Sequence, residues 1–324
     1  MTKYREIKGT LIQNVSADPP ASFEGQVWYN TTSNALKIDN GPEVSAWATG
    51  GDLNTGRQQM GGAGTHTAAL SIGGNPNPLG PLVESYNGTS WTEVNDLNTG
   101  KFRHAATGTQ TAALAVGGEP PDGPNQTNTE LWNGTNWTEV NNTNFGRRDL
   151  TGTGTPAAAL IFGGSPDGEF CELWNGTNWT EVNDLTRSYT IDDYMASSGT
   201  STAALGFTGG GAAGTGATES WNGTNWTEVN DLNTARWGAE GGGTQTAAIA
   251  FGGGPYNTQL TVTETWNGTN WTEVNDLNTA RIEHGGAGNT SSSLAFGNDQ
   301  GIPTNPAATE EWSISGGIRT ITSS

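Results

Sequence analysis

WNGTNWTEVNDLNTAR, residues 221–236, returns almost letter for letter at 266–281, and looser copies stand at 86–101, 132–147 and 174–187. A chain that repeats one segment this closely uses one structural unit several times, so the unit has to be delimited first. Inside the segment, Asn-Gly lies between TESW and NWTEV. Both residues of an Asn-Gly pair accept positive φ, which makes it a strong hairpin signal and predicts a strand on either side.

The neighbours of the segment repeat as well. One Trp series runs Trp47, Trp91, Trp137, Trp179, Trp226 and Trp271; a second aromatic series runs Tyr86, Trp132, Trp174, Trp221, Trp266 and Trp312. Two residues ahead of each member of the second series stands a glutamate: Glu84, Glu130, Glu172, Glu219, Glu264 and Glu310. Further upstream comes an apolar run ending in glycine, such as TAALAVGG (111–118) or TAAIAFGGG (246–254). Being apolar on both faces, it reads as a buried strand. Ahead of that lies a basic residue and a strand of small residues, as in RWGAEGGGT (236–244), suited to a crowded place where strands converge. Each unit is therefore four short strands, the plan of a propeller blade.

Six basic residues start the units: Arg57, Lys101, Arg147, Arg187, Arg236 and Arg281. The last unit lacks a second Trp, while Trp47 has no three strands ahead of it. Joining these remnants lets VSAWATG (44–50) supply the outer strand of the sixth unit, which removes open sheet edges. The rival arrangement gives that place to IRTIT (318–322) and leaves Trp47 as a surface cap.

A basic residue, a small-residue strand, an apolar strand ending in GG, a later aromatic and a further Trp together resemble the kelch repeat. The resemblance covers residues 43–324. It implies an all-β, six-bladed kelch-like β-propeller of four-stranded blades, closed by the strand near Trp47, with residues 1–42 as a short N-terminal β arm. The chain departs from the pattern at Lys101, at the GN of the last unit, and in carrying Trp for the usual third-strand Tyr in five of six units.

Composition narrows the function. Only 32% of the 324 residues are hydrophobic, too few for a thick aliphatic core, but 13 Trp residues supply large contact areas. A net charge of −19 argues against nucleic acid and against an anionic membrane surface. No apolar run reaches membrane-spanning length, so no membrane insertion is expected. The opening MTKYREIKGTLIQ lacks the apolar run of a signal peptide, which implies synthesis in a host cytoplasm. Cys171, the single cysteine, allows no internal disulfide.

Several chemistries are weighed and set aside. The repeated Trp pairs could stack sugars, but residues present in every unit are read as packing between sheets. The repeated glutamates are read as structural hydrogen-bond acceptors. The NGTNWT sequons are explained by the turn. That turn also resembles the Asp-box of sialidases, whose sites need an arginine cluster, a Tyr–Glu pair and a further acid; here the repeat accounts for the basic residues. A Tyr–Cys copper site of the galactose-oxidase type would need histidine ligands, and His66, His104 and His284 are read as lying at different offsets. Nucleophile elbows and phosphate loops are absent. No enzyme activity, catalytic residue, metal or cofactor is therefore expected; Pro-Asp-Gly turns at 121–123 and 166–168 remain open to a cation, and Asp192 with Asp193 is the acidic pair that an enzyme reading would use.

What varies between units lies in two places. The links between the second and third strands differ in length and are rich in Pro and Gly, as in EPPDGPNQTNT (119–129) and PYNTQLTV (255–262). The residues just after the basic position differ too, and the fourth unit carries SYTIDDYM (188–195) there. Both emerge at the same end of a propeller. Binding residues concentrate on loops held by a rigid scaffold. The expected ligand or partner face comprises Phe102, Arg103, His104, Arg148, Asp149, Tyr189, Asp192, Asp193, Tyr194, Trp237, Glu240, Tyr256, Glu283 and His284.

Finally, GQVWYNTTSNALKI (25–38) alternates about TTSN as a hairpin would. It resembles a motif, G-x-x-W-Y-N-T-T-x-x-x-L-K, near the start of phage tail-fibre and other virion proteins. Together with the Gly/Thr/Asn-rich repeats, it makes the chain similar to structural proteins of marine phages. That resemblance implies a non-enzymatic virion component released by lysis, bound to other virion proteins through residues 1–42 and to host-surface glycan or protein through the propeller face, with homo-oligomer formation compatible. The alternatives are an intracellular kelch-type interaction module and a polysaccharide-acting propeller enzyme.

Overall fold

In each NGTN turn the asparagine side chain does the folding work. Asn222 Oδ1 accepts the main-chain N–H groups of Thr224 and Asn225 at 3.0 and 2.9 Å, and Gly223 takes a φ of +90°. Asn133, Asn175 and Asn267 repeat this arrangement. The computed structural model describes residues 12–20, 22, 24–41, 43–75, 80–120, 123–187, 194–210, 214–255, 258–298 and 306–321. Among them the turns organise an all-β chain of seven four-stranded sheets. No helix among the described residues is long and apolar enough to cross a membrane.

One sheet combines β1 (Gln13–Val15), β2 (Val27–Asn30), β3 (Ala35–Asp39) and the last strand, β28 (Ile318–Thr320). The other six are the repeats. The first contains β5 (Gly61–Thr65), β6 (Ala68–Ile72), β7 (Val83–Tyr86) and β8 (Trp91–Glu93). The second contains β9 (Ala105–Thr109), β10 (Ala112–Val116), β11 (Thr129–Trp132) and β12 (Trp137–Val140). The third contains β13 (Thr151–Thr155), β14 (Ala158–Phe162), β15 (Cys171–Trp174) and β16 (Trp179–Val182). The fourth contains β17 (Ala196–Thr200), β18 (Ala203–Phe207), β19 (Thr218–Trp221) and β20 (Trp226–Val229). The fifth contains β21 (Trp237–Thr244), β22 (Ala247–Gly254), β23 (Thr263–Trp266) and β24 (Trp271–Glu273). The sixth joins β25 (Gly285–Asn289), β26 (Ser292–Phe296) and β27 (Thr309–Ser315) to β4 (Val44–Thr49).

The chain divides into two compact units, Ala46–Ser313 and a smaller one of Met1–Ser45 with Ile314–Ser324. In the smaller unit the hairpin forms with Asn30 opposite Ala35. Trp28 is fully buried, and its indole N–H and the Asn30 amide both donate to Asp18 at 2.9 and 2.7 Å. These bonds, led by that from Asn30, hold the Asp18 carboxyl below the usual range. The Trp and Asn of the WYN triplet thus serve the fold of this unit. IRTIT does not compete for the sixth repeated sheet; its strand β28 pairs with β3.

In the larger unit the inner strands contact one another in the order β5, β9, β13, β17, β21, β25 and back to β5. Their approach explains the small residues: a Cβ on Gly62 would stand 2.1 Å from the carbonyl oxygen of Gly286. Between sheets, each fourth-strand Trp packs on the end of the preceding sheet's second strand, Ile72 for Trp137, Val116 for Trp179 and a Phe in the other four. Ring centroids are 4.9 Å apart for Trp91–Phe296, 4.7 Å for Trp226–Phe162 and 5.0 Å for Trp271–Phe207. Trp47 does the same with Phe251 at 5.0 Å. Its indole donates to Thr263, as Trp91 donates to Thr309, and its carbonyl accepts from the Asn278 amide, as that of Trp91 accepts from Asn54. Trp47 therefore occupies the outer-strand place of the sixth sheet.

The repeated glutamates are buried hubs. Glu264 accepts from the Asn233 main chain at 2.8 Å, the Asn233 amide at 2.7 Å and Thr234 N at 3.3 Å, and pairs with Arg236 at 2.6 Å. Neither charged side chain is exposed. Four other sheets repeat the ion pair: Arg57–Glu84, Lys101–Glu130, Arg147–Glu172 and Arg281–Glu310, at 3.1, 3.5, 2.9 and 3.0 Å. Lysine lacks the guanidinium fork, and burial pushes the Lys101 ammonium down to about 8. The fourth unit differs. Arg187 lies two residues early: its main-chain N–H donates to Glu219, and its guanidinium reaches the exposed Glu228 at 2.7 Å. Counting Arg187 as the equivalent basic residue is therefore corrected. The error arose because a sequence count cannot see that Thr186 takes the place of the link asparagine.

Outside the hubs, a second clasp binds neighbours. The Asn183 amide, at the end of one outer strand, donates to Thr224 O and Asn225 Oδ1 of the next turn at 3.0 and 2.9 Å, and Asn95, Asn141 and Asn230 do likewise. Two substitutions separate these terms. Trp47→Ala should cost about 3–5 kcal/mol of unfolding free energy, matching Trp91→Ala in chemical denaturation; a loss under about 1 kcal/mol would return Trp47 to a surface cap. Glu264→Gln should cost about 3–5 kcal/mol by stranding the buried Arg236 charge.

Candidate functional site

The two variable stretches meet directly. Residues just after the basic position bridge to the start of the following link at Gln58–Asn75, Phe102–Glu119 and Arg148–Ser165. One residue further on, the main chain makes a chain of hydrogen bonds from unit to unit. Arg103 N donates to Gln59 O at 2.9 Å, Asp149 N to Arg103 O at 2.8 Å, Gly238 N to Tyr194 O at 3.3 Å, Glu283 N to Gly238 O at 3.0 Å, and Gln59 N to Glu283 O at 2.7 Å. Reaching those carbonyls puts Gln59, Arg103, Asp149 and Glu283 in the left-handed region, at φ of 57°, 57°, 59° and 53°. Non-glycine residues seldom adopt it, and such strain concentrates at functional sites.

Side chains from this tier gather at the mouth of a central cavity of about 200 Å³ lined by the inner strands. Gln59 Nε2 donates to Glu283 at 2.9 Å. Arg103 lies 3.6 Å from Asp149 and 4.0 Å from Glu119, while Arg148 lies 3.4 Å from Glu119 and 3.3 Å from Asp149. The Arg103 guanidinium also sits 5.8 Å from the centre of the Tyr194 ring. Burial opposes its charge, but Tyr194, Asp149, Glu283 and Glu119 outweigh that and hold it above the usual arginine range. Burial, with Asp149 and Glu283 beside it, drives the Tyr194 hydroxyl well above the usual phenol range. Tyr194 is thus a neutral phenol.

Of the expected face, Arg103, His104, Tyr194, Glu240, Glu283 and His284 line the cavity. Arg148 and Asp149 complete the charge cluster at its mouth. Phe102 is half-buried in its bridge to Glu119 and does not line the cavity. Trp237 is corrected: it is 9% exposed and packs on Tyr194 with ring centroids 5.9 Å apart, so it supports the mouth instead of offering a stacking surface. Tyr189, Asp192, Asp193 and Tyr256 lie outside the described residues.

The histidines need a second correction. His104 and His284 share one offset, three residues after Lys101 and Arg281. Each stands just ahead of its inner strand, and their exposures are 6% and 2%. Burial, with Lys101 adding, pushes His104 down to about 3; burial, with Arg281 adding, takes His284 well below its usual value. Both rings are neutral, and none of their four nitrogens has a hydrogen-bond partner. Burial also pushes the Cys171 thiol up to about 12, so it is no nucleophile. No group of three or more His, Cys, Asp or Glu able to hold a metal occurs among the described residues.

Gln59, one of the differing positions just after the basic residue, also joins the mouth. One feature escaped the sequence reading. Phe145 is 41% exposed and stacks on Phe170 at 5.1 Å, joining two loops of the variable end. Its signal was present: NTNFGR stands where other copies read DLNTAR.

No family model matches this chain, and no curated protein matches it. A solved structure, that of YjhT, matches 82% of this chain and 99% of its own with a TM-score of 0.67 at 12% identity. The fold is β-propeller-like. At that identity the likeness carries the architecture of four-stranded sheets and nothing about activity.

Glu240 provides a test of the site's electrostatics. It is half-buried, and desolvation raises its carboxyl from an ordinary 4.5 to about 8, only partly offset by the Gly241 N–H. Between those values the folded state binds more protons than the unfolded chain, so this group's contribution to stability falls as pH rises. Thermal melts from pH 5 to 8 should show a decline in the natural protein that is smaller in Glu240→Gln; equal slopes would show that the carboxyl is ordinary.

Proposed function

We propose that this protein is a non-enzymatic structural and attachment component of a virion. In this reading its six repeated sheets form a six-bladed kelch-like propeller, closed by β4, whose variable end binds host-surface glycan or protein. The smaller unit, which contains residues 1–42, anchors it to other virion proteins. The observation that carries the reading is the segregation of residues. The repeated Trp, Glu, Asn and Arg are consumed in packing, hubs and clasps, while unrepeated charged and aromatic residues collect at one end. Spare binding capacity therefore sits where the units differ. The WYNTT leader and the acidic charge support the virion setting.

Purified particles analysed by mass spectrometry should contain the chain in stoichiometric amount; its absence from them would sink the virion reading. On a host-surface glycan or protein array, Phe145→Ala and Arg148→Ala should each weaken binding roughly tenfold with an unchanged melting temperature. Binding indifferent to both would move the ligand face elsewhere.

One observation favours a second reading, a glycan-acting enzyme. Glu240 is an unrepeated acid with a raised pKa inside a cavity that also presents Arg103, Tyr194 and Glu283, and perturbed acids in clefts mark functional sites. It predicts turnover of sialosides or other glycans that Glu240→Gln abolishes; the attachment reading predicts no turnover.

A further inference from the structure

We infer that the central cavity is a binding site for a small organic ammonium ion, with the Glu240 carboxylate as its counter-charge. The inference does not depend on the virion reading, and the cavity takes Glu240, His104 and His284 of the expected face into its lining.

The argument begins with where Glu240 sits. In register it is the first residue of its inner strand to pair with the aromatic or aliphatic end of the second strand, here Phe251. The same place holds Gly61, Ala105, Thr151, Ala196 and Gly285 in the other sheets. One carboxylate has thus been introduced into a wall of small residues. Its strand is packed by β17, β22 and β25. Their inner-strand residues at this level are Ala196 and Ser197 on one side, Gly285 and Gly286 on the other, with no ionisable side chain among them. Glu240 still keeps accessible surface, and that surface lines the cavity. No side chain among the described residues forms a hydrogen bond or an ion pair with it.

The described cations of the inner tiers are committed elsewhere. Arg57, Lys101, Arg147, Arg236 and Arg281 are fully or almost fully buried against their glutamates. At the mouth, Arg103 and Arg148 face Glu119 and Asp149, with Glu283 close by. A carboxylate deep in a narrow site whose mouth also carries excess negative charge attracts cations.

The second observation concerns acceptors. His104 and His284 line the same cavity, are more than nine-tenths buried, and have no partner at any ring nitrogen. Buried polar atoms without partners are rare and call for an unseen group. A neutral imidazole offers one lone pair to an N–H donor and does not repel a cation. An ammonium group brings about three N–H donors, to be shared by the Glu240 carboxylate and His284, whose ring packs on Phe251, the register partner of Glu240. A hard divalent ion is a poorer fit, since it asks for roughly six or more oxygen ligands and no three-residue metal cluster is present among the described residues. The short apolar stem of an alkylammonium suits glycine-lined walls, and about 200 Å³, more than the roughly 150 Å³ that takes up a benzene ring, accommodates it.

The test is a titration at about pH 9, where the Glu240 carboxyl, raised to about 8 by burial, is ionised: glutamate-carboxyl carbon-13-labelled protein receives ethylammonium chloride and is followed by NMR and by thermal melting. Sodium chloride at equal ionic strength, calcium chloride and ethanol serve as comparisons. A saturable shift of the Glu240 resonance, identified by its loss in Glu240→Gln, together with a rise in melting temperature at roughly millimolar ethylammonium, is expected. Ethanol and sodium chloride should produce neither, and Glu240→Gln should weaken the thermal response at least tenfold. The inference is overturned by no saturation up to roughly 100 mM, by an equal thermal response in Glu240→Gln, or by a tighter Glu240-dependent response to calcium. Should Glu240→Gln fail to fold by circular dichroism, Glu240→Asp, which also removes the labelled glutamate, identifies the resonance, and its shift in the natural protein decides.

Discussion

A buried carboxylate that must be satisfied is the constraint on which the larger unit depends. Each repeated glutamate lies on a third strand with almost no exposure. A charge there is tolerable only when hydrogen-bonded and paired. The link from the preceding sheet meets that need by folding over it: in five sheets the Asn main chain, the Asn amide and a buried cation converge on one group, and in the fourth sheet Thr186 and the Arg187 main chain do so. The same Asn amide reaches the carbonyl of the outer-strand Trp. One side chain therefore fastens link, inner-strand start and outer strand together, and sheet-to-sheet spacing follows from it.

With geometry held by the hubs, the next tier can be varied. The residue after each post-basic position is committed through its main chain to the neighbouring unit, whatever its side chain. Gln59, Arg103, Asp149 and Glu283 accept left-handed backbone to keep those bonds, and a glycine, Gly238, does the same job without strain. Side-chain identity at the mouth is free of the fold's demands. That freedom is why charges and aromatics of differing kind accumulate there.

Strand order, the Asn-Gly turns and the placement of both Trp series were legible because each is a local pattern tied to burial. The place of Trp47 was legible as an arithmetic remainder, and its indole and carbonyl bonds show why it fits. Other readings failed for definable reasons. Arg187 looked like a repeat start because an arginine occurs near the expected place, yet the link there is shifted in register. Trp237 looked exposed because variable positions usually are, yet Tyr194 covers it. His104 and His284 look unrelated along the chain, yet their shared offset is a shared position beside the inner strands.

By itself the sequence determined the repeat, the four-strand unit, the all-β class and the end at which units differ. These follow from periodicity and from short-range turn chemistry, which act along the chain. Tertiary structure alone decided which variable residues meet. Arg103 and Tyr194 come from different units, as do Gln59 and Glu283, and their contact depends on the radial approach of inner strands that no local pattern encodes. It alone also decided protonation. Glu240 and His284 carry ordinary side chains, and what sets them apart is removal from water and from countercharge, a property of the assembled interior.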